Sequence, residues 1–159
     1  MSNPPIQSTP VTQELDQKGI PYRLFTHPGP IHSLEQAAQE RGQRPEQVVR
    51  SIVFRLSEGE FVMVLIAGPQ QISWTALRAH LEVSRMSMAS EEEVLASTAY
   101  PLGAVSPFGL PDAMRILVDE SVFHEEEISL GSGVRYTTVI LSSQDLRRGL
   151  GDFEIGKFI

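Results

Sequence analysis

Two apolar runs, "SIVFRL" (Ser51 to Leu56) and "FVMVLIA" (Phe61 to Ala67), stand only four residues apart. β-Branched and aromatic runs flanking the short glycine-containing connection Ser57-Glu58-Gly59-Glu60 specify an antiparallel hairpin. The second run is apolar at nearly every position, which suits a central strand covered on both faces. Whatever else the chain forms must therefore place a layer on each side of this strand.

Immediately before the first run stands a charge, Arg50, in "VVRSIVF". Two readings compete. A strand end can let a long cationic side chain reach water, or the cation can be aimed into a ligand site. The rest of the chain decides between them.

Around the hairpin the sequence alternates irregularly between helical and extended signals. Residues 1–9, "MSNPPIQST", read as a loose polar leader, and residues 10–159 as one domain. Pro10 suits a first helical position, with Val11 and Leu15 on one face and Gly19 as a stop. "YRLFT" reads as a strand ending at His27-Pro28. Ser33 with Gln36 has capping-box spacing for a helix running to about Gly42, and Pro45 starts one more turn before a strand that follows Arg50. Ser73 caps a helix through Leu81, Ser90 with Glu93 opens another through Ala96, and Ser143 caps a last one ending at Gly149. "MRILVD", "EISL" and "YTTVIL" supply further strands. This mixture points to an α+β domain with a mixed sheet.

Composition narrows the function classes. A chain of 159 residues, 41% hydrophobic, can bury a sizeable core. Its longest apolar run is far short of the roughly 20 residues of a membrane span, and its start lacks a basic-then-apolar signal layout, so a soluble, cytoplasmic protein is expected. Without cysteine, neither disulfides nor thiolate chemistry nor cysteine-zinc sites can form. A net charge of −7 argues against coating long stretches of nucleic acid, while leaving room for contact with a nucleic-acid end. Locally the balance reverses: between Arg41 and Arg85 six arginines face four glutamates. The acidic runs Glu91 to Glu93 and Glu125 to Glu127 read as solvated helix starts or turns.

Chemistry has few places to reside. "YPLGAVSPFGLP", Tyr100 to Pro111, can form a carbonyl-binding loop of main-chain N–H groups or an ordinary surface turn, and taken alone the turn is favoured. Ser106 lacks the Gly-x-Ser-x-Gly elbow of a nucleophile, and Pro107 removes the N–H that such an elbow contributes. The histidines form no His-Glu-x-x-His array, so no metal is expected. Only His27 is placed like a site residue, although an exposed loop histidine is the commoner outcome. "GSGVR", Gly131 to Arg135, is too short of glycines for a dinucleotide fingerprint; it can cradle a phosphate or ribose, or be a plain hairpin turn.

Taken in order, "VVRSIVF", "AGPQQISWTALRAHL", "GAVSPFG" and "GSGVRY" resemble the YbaK and prolyl-tRNA synthetase editing-domain family of aminoacyl-tRNA deacylases, over roughly Leu15 to Leu150. Gly103 to Pro107 carries the most specific element, Gly-x-x-x-Pro. The resemblance implies a mixed, partly barrel-like sheet surrounded by helices. It also implies a metal- and cofactor-free hydrolase that removes a wrong small amino acid, such as alanine or cysteine on proline tRNA. Its partners would be the aminoacylated tRNA acceptor end and, as a companion, an aminoacyl-tRNA synthetase.

The same resemblance assigns catalytic roles to Arg50, Gly103 and Pro107. Substrate contacts fall to Phe25, His27, Ser51, Gly68, Ala104, Val105 and Ser106 in the first two thirds of the chain, and to Gly131, Ser132, Gly133, Arg135 and Thr138 near its end. In four places the chain departs from the YbaK pattern: Arg50 stands for lysine, Phe25 for tyrosine, Gly131 for serine and Thr138 for aspartate. Arginine can hold a phosphate or carbonyl oxygen but is no general base. These departures leave open a module that binds tRNA ends, nucleotides or a synthetase without turnover, and an unrelated small α+β protein.

Overall fold

The computed structural model describes residues 8–159. In chain order the elements are α1 (Pro10–Gln17), β1 (Arg23–Thr26), α2 (Leu34–Arg41), β2 (Val49–Ser57), β3 (Glu60–Ala67), α3 (Trp74–Leu81), β4 (Ser87–Met88), α4 (Glu91–Thr98), β5 (Arg115–Asp119), β6 (Glu127–Gly131), β7 (Thr137–Ser142), α5 (Ser143–Leu150) and β8 (Glu154–Gly156). Single 3-10 turns at Pro45–Gln47 and Glu120–Phe123 lead into β2 and follow β5.

The hairpin expected from the two apolar runs is β2 and β3, with Arg50 opposite Ile66 and Ser51 opposite Leu65. It anchors a five-stranded sheet in the order β4-β2-β3-β5-β8, with β3 in the middle. Along β3 the two faces divide as period-2 geometry requires. Met63, Leu65 and Ala67 enter one core with Val11, Leu15 and Val139, while Val62, Val64 and Ile66 enter another with Leu77 and Leu81 of α3. At roughly 1.5–3 kcal/mol for each large apolar side chain removed from water, this two-sided burial makes β3 the energetic centre of the fold.

A smaller antiparallel sheet, β1-β7-β6, closes over the first core. A lone parallel bridge between Val48 and Ser129 joins the two sheets at the start of β2. The mixed, partly barrel-like α+β expectation is met in this form, and the seam at Val48 is where the sheets leave a gap.

Several local expectations shift. Of the expected leader, residues 1–7 lie outside the described residues, but Thr9 is a buried helix cap. Its hydroxyl accepts from Thr12 N and donates to the Ser132 carbonyl at 2.7 Å, stitching α1 to the β6–β7 turn. α5 is capped by Ser142 rather than Ser143, and α4 continues past Ala96 to Thr98. Ser90 and Glu93 do form a reciprocal box, whereas Gln36 reaches past Ser33 to His32 N at 2.9 Å. β2 begins before Arg50, so this residue is inside the ladder. The two shortest strands, β4 and β8, carry too few residues to show a periodicity.

Candidate active site

At the seam between the sheets lies a cleft of about 300 Å³. Val48 to Ile52 form one wall, Leu130, Gly131, Thr137 and Thr138 the opposite one, Leu102, Gly103 and Val105 a lip, and Arg41 completes the lining from the end of α2. Two arginines thus line it and no acidic residue does, in a chain of net charge −7. Such a site favours an anionic or oxygen-rich ligand.

Arg50 projects from the second position of β2. Its Nη2 donates to the Gln70 carbonyl, and burial draws the guanidinium below its ordinary pKa. Arg50 Nε and the neighbouring Ser51 Oγ are buried and have no hydrogen-bond partner. Buried polar atoms are nearly always satisfied in folded proteins, so two adjacent orphans lining a cleft mark a place for ligand atoms.

The Tyr100–Pro111 segment is no surface turn. Tyr100, Ala104, Val105, Ser106 and Phe108 are all buried. Tyr100 donates its hydroxyl to the Phe108 carbonyl at 2.6 Å, and burial with the nearby Glu14 pushes that phenol up to about 12. Ser106 Oγ accepts from Phe108 N at 3.2 Å, and so braces the loop from within. Gly103 takes a φ of +88°, a left-handed geometry that glycine adopts without strain. The Ala104 N–H is bonded to the Pro101 carbonyl at 3.1 Å; among the described residues the N–H groups of Gly103 and Val105 have no such acceptor. They belong to residues that line the cleft.

Packing fixes this lip against the opposite wall. The Ala104 carbonyl accepts from Gly133 N at 2.9 Å. A Cβ on Gly131 would lie 2.0 Å from the Val105 carbonyl oxygen, so β6 and the loop can approach only because residue 131 lacks a side chain. Thr138 is buried and donates to the Leu130 carbonyl at 2.7 Å.

Six of the residues expected from the sequence therefore meet at one cleft: Arg50, Ser51, Gly103, Val105, Gly131 and Thr138. Others lie behind it. Ala104, Ser106 and Pro107 are buried within the loop, Ser132 within the β6–β7 turn, and Gly133 packs on the Tyr100 ring. Arg135 is exposed and donates to the Leu102 carbonyl at 3.1 Å. Gly68 lines a different cleft of about 430 Å³, whose other residues include Asp119, Glu120, Glu125 and Lys157. Its carboxylates make that larger cleft the poorer host for a nucleic-acid end.

His27 is a buried histidine, not an exposed loop residue. Phe25 packs edge-on against its ring at 4.9 Å. Its Nε2 faces Arg41 Nε at 3.0 Å, and its Nδ1 faces the Glu40 carboxylate at 2.7 Å. Since a guanidinium can only donate, Nε2 accepts and Nδ1 carries the proton that Glu40 receives. Bonds from His27 and Gln36 hold the Glu40 carboxyl below the usual carboxylate range. Arg41, which the sequence reading passed over, is the residue this chain of bonds positions. Burial lowers its guanidinium to about 10, still charged at neutral pH. Among the described residues, no group of three or more His, Asp or Glu is arranged to hold a metal ion. No helix among them is long and apolar enough to cross a membrane.

Residues 28–148 match the family model of the aminoacyl-tRNA editing domain. The chain belongs to that family. This editing domain is 38% identical over 99 residues to a proline–tRNA ligase of Kosmotoga olearia, covering 62% of the chain but 17% of the ligase. It is 28% identical to the multifunctional Ser/Thr-tRNA deacylase ProXp-y of Escherichia coli, covering 84% of the chain and 82% of that protein. The editing domain thus spans under a fifth of the ligase and most of the deacylase. In fold it matches the crystal structure of hypothetical protein APE2540 with a TM-score of 0.84 at 21% identity, covering 94% of this chain and 99% of that one. A candidate trans-editing enzyme for prolyl tRNA synthetase matches with a TM-score of 0.83 at 20% identity, covering 96% and 98%.

Proposed function

We propose that this editing domain hydrolyses the ester between a small amino acid and the terminal ribose of a mischarged tRNA. The observation that carries the reading is the acid-free cleft with the orphaned Arg50 Nε and Ser51 Oγ on one wall and the unbonded N–H groups of Gly103 and Val105 on the lip. Such N–H donors suit the oxygen of an ester carbonyl, whose charge grows as a nucleophile adds. Arg50 suits a phosphate or ribose oxygen of the terminal nucleotide, and a guanidinium keeps its charge throughout.

In this mechanism water adds to the carbonyl carbon, forming a C–O bond, and its proton passes to a neighbouring oxygen of the substrate. The ester C–O bond then breaks, the departing ribose oxygen takes up that proton, and the amino acid leaves as its carboxylate while the second proton of the water passes to solvent. The protein supplies placement and electrostatics, which can lower a barrier by several kcal/mol without a covalent intermediate. Alanine and cysteine on proline tRNA are the first substrates to try, and the name of the Escherichia coli relative adds serine and threonine.

The test is release of amino acid from a panel of mischarged tRNAs by the purified protein, alone and with the matching synthetase. Release from at least one tRNA, lost in Arg50→Ala, is expected. Binding of tRNA ends without release from any member would overturn the hydrolytic reading in favour of a binding module.

A further inference from the structure

Tyr136 stands where the backbone least favours a bulky side chain. Among the described residues three other than glycine have a positive φ, and two of them, Glu82 and Ala99, close helices. The third is Tyr136, at +67°, in the turn between β6 and β7. Thr137 N donates to the Val134 carbonyl at 3.4 Å, so Val134 to Thr137 form one turn with Tyr136 in its third place. A positive φ there, and not at Arg135, marks the position that a type II turn gives to glycine or asparagine. Packing does not explain the strain, because Tyr136 is 48% exposed. Backbone held in such a conformation clusters at ligand sites, and here the Tyr136 carbonyl is fixed by the His27 N–H at 2.6 Å.

The neighbours of Tyr136 belong to the cleft. Thr137 and Thr138, next in the chain, line it, and Arg135, just before, donates Nε to the carbonyl of Leu102 on the lip at 3.1 Å. Leu102 is itself 46% exposed. Leu102, Arg135 and Tyr136 thus give the rim an apolar side chain, a cation and an aromatic ring open to solvent. Glu91 lies 3.8 Å from Arg135 Nη2, but both side chains are more than half exposed, so water screens that pair. At about 300 Å³ the cleft is at the small end of ligand sites. A nucleic-acid end can place its acylated ribose inside while the bases behind it cross the rim.

We infer that Tyr136 is the stacking platform for one unpaired base of the RNA strand whose 3′ end enters the cleft, with Arg135 beside it for that strand's phosphate. Every base has a π-face, so an exposed ring next to a cation holds an unpaired strand without reading its sequence. The ring then serves the ligand and not the fold, which accounts for tyrosine at a turn position that glycine or asparagine fills with less strain. It also separates two tasks: the cleft acts on the acyl ester, and the rim sets how far the strand is drawn in.

This inference rests on the proposed function for the identity of the strand but not for its test. Short single-stranded RNAs ending in CCA, uncharged and labelled at the 5′ end, report binding by fluorescence anisotropy without any turnover. Tyr136→Asn, which suits the turn but lacks the ring, is expected to weaken binding about five- to a hundredfold, the range for one base stacked on an aromatic side chain. Tyr136→Phe, which keeps the ring, should bind within about twofold of the wild type. RNAs lacking one of the last three bases then locate the contact. Removal of one of them should weaken binding to the wild type by the same factor, with no further loss in Tyr136→Asn. Equal binding by the wild type and Tyr136→Asn would overturn the inference, as would a loss in Tyr136→Asn that was the same on every RNA. Base-dependent binding without deacylation of any tRNA would instead overturn the hydrolytic reading alone.

Discussion

His27 Nε2 accepts a hydrogen bond from Arg41 Nε at 3.0 Å, and so a buried histidine just after β1 sets the direction of a cation at the end of α2. The His27 side chain has 0% exposure, so in the folded protein the bond is shielded from water. His27→Ala leaves Arg41 Nε and Glu40 each short of a partner. A loss of about 1 kcal/mol is expected, arising from the part-buried Arg41 Nε, since Glu40 keeps its bond from Gln36 and is reached by water. His27→Gln, which offers one acceptor and one donor on a longer, more flexible stem, should recover part of it. Urea unfolding of the three proteins checks the order; equal stability of all three would show that the network carries no energy.

Gly131 makes a different kind of contact with the loop it faces. Its missing Cβ leaves the space in which the Val105 carbonyl oxygen sits, 2.0 Å from where that carbon would be. Because the obstacle is backbone on both sides, Gly131→Ala must push β6 and the 102–105 lip apart. Errors of about 1 Å in a site can cost on the order of 100-fold in rate. Deacylation is expected to fall by about that factor, with a melting temperature lowered by several degrees. Gly103→Ala is the control: open space surrounds its Cβ, so only the strain of a φ of +88° is added, about 1–2 kcal/mol. If Gly131→Ala were as active as the wild type, the lip would not be set by this approach.

The contrast between these positions shows which parts of the molecule could be read from the chain. β3 was legible because burial on both faces demands an unbroken apolar run, and the caps Ser33, Ser73 and Ser90 and the stop at Gly42 are local signals that tertiary structure had no reason to override. The cleft was legible only in part. Arg50 and Gly103 carry signals of their own, a charge in a strand and a glycine among prolines. Arg41 carries none, since an arginine in the last turn of a helix is what the helix dipole favours anyway. Its partners His27 and Ser129 lie 14 and 88 residues away and meet it only when the small sheet forms. The same holds for the Tyr100–Pro111 loop, whose glycines and prolines resemble those of a surface turn until Tyr100 and Phe108 are seen to be core.

Arg50 tests whether a guanidinium serves where the family pattern has lysine. Its Nη2 is tied to the Gln70 carbonyl, while its Nε, like the Ser51 hydroxyl, is buried without a partner. A planar group can hold the tether and still present a donor; an ammonium on a single stem must choose. Arg50→Lys is therefore expected to lower deacylation by about tenfold and Arg50→Ala by about 100-fold or more, the scale of losing a charge-stabilising donor. Single-turnover rates on the best substrate of the panel check both. A gain in Arg50→Lys would show instead that arginine impairs this site.

At the far edge of the large sheet, Glu154 on β8 receives two bonds from Arg115, at 2.6 and 2.8 Å, and one contact from His80 at 3.0 Å. The Arg115 hydrogen bonds, more than any other influence, draw its carboxyl down to about 2. A carboxyl whose pKa is lower folded than unfolded contributes stability above the unfolded value, near 4.3, and loses it as pH falls through the folded one. With the Glu154 side chain 38% exposed, solvent screening limits the contribution to about 1 kcal/mol. The stability gap between wild type and Glu154→Gln should thus be about 1 kcal/mol at neutral pH and close between about pH 4 and pH 2. Urea unfolding at several pH values measures it. A gap that stayed constant down to pH 2 would mean that Glu154 acts through packing of β8 rather than through its charge.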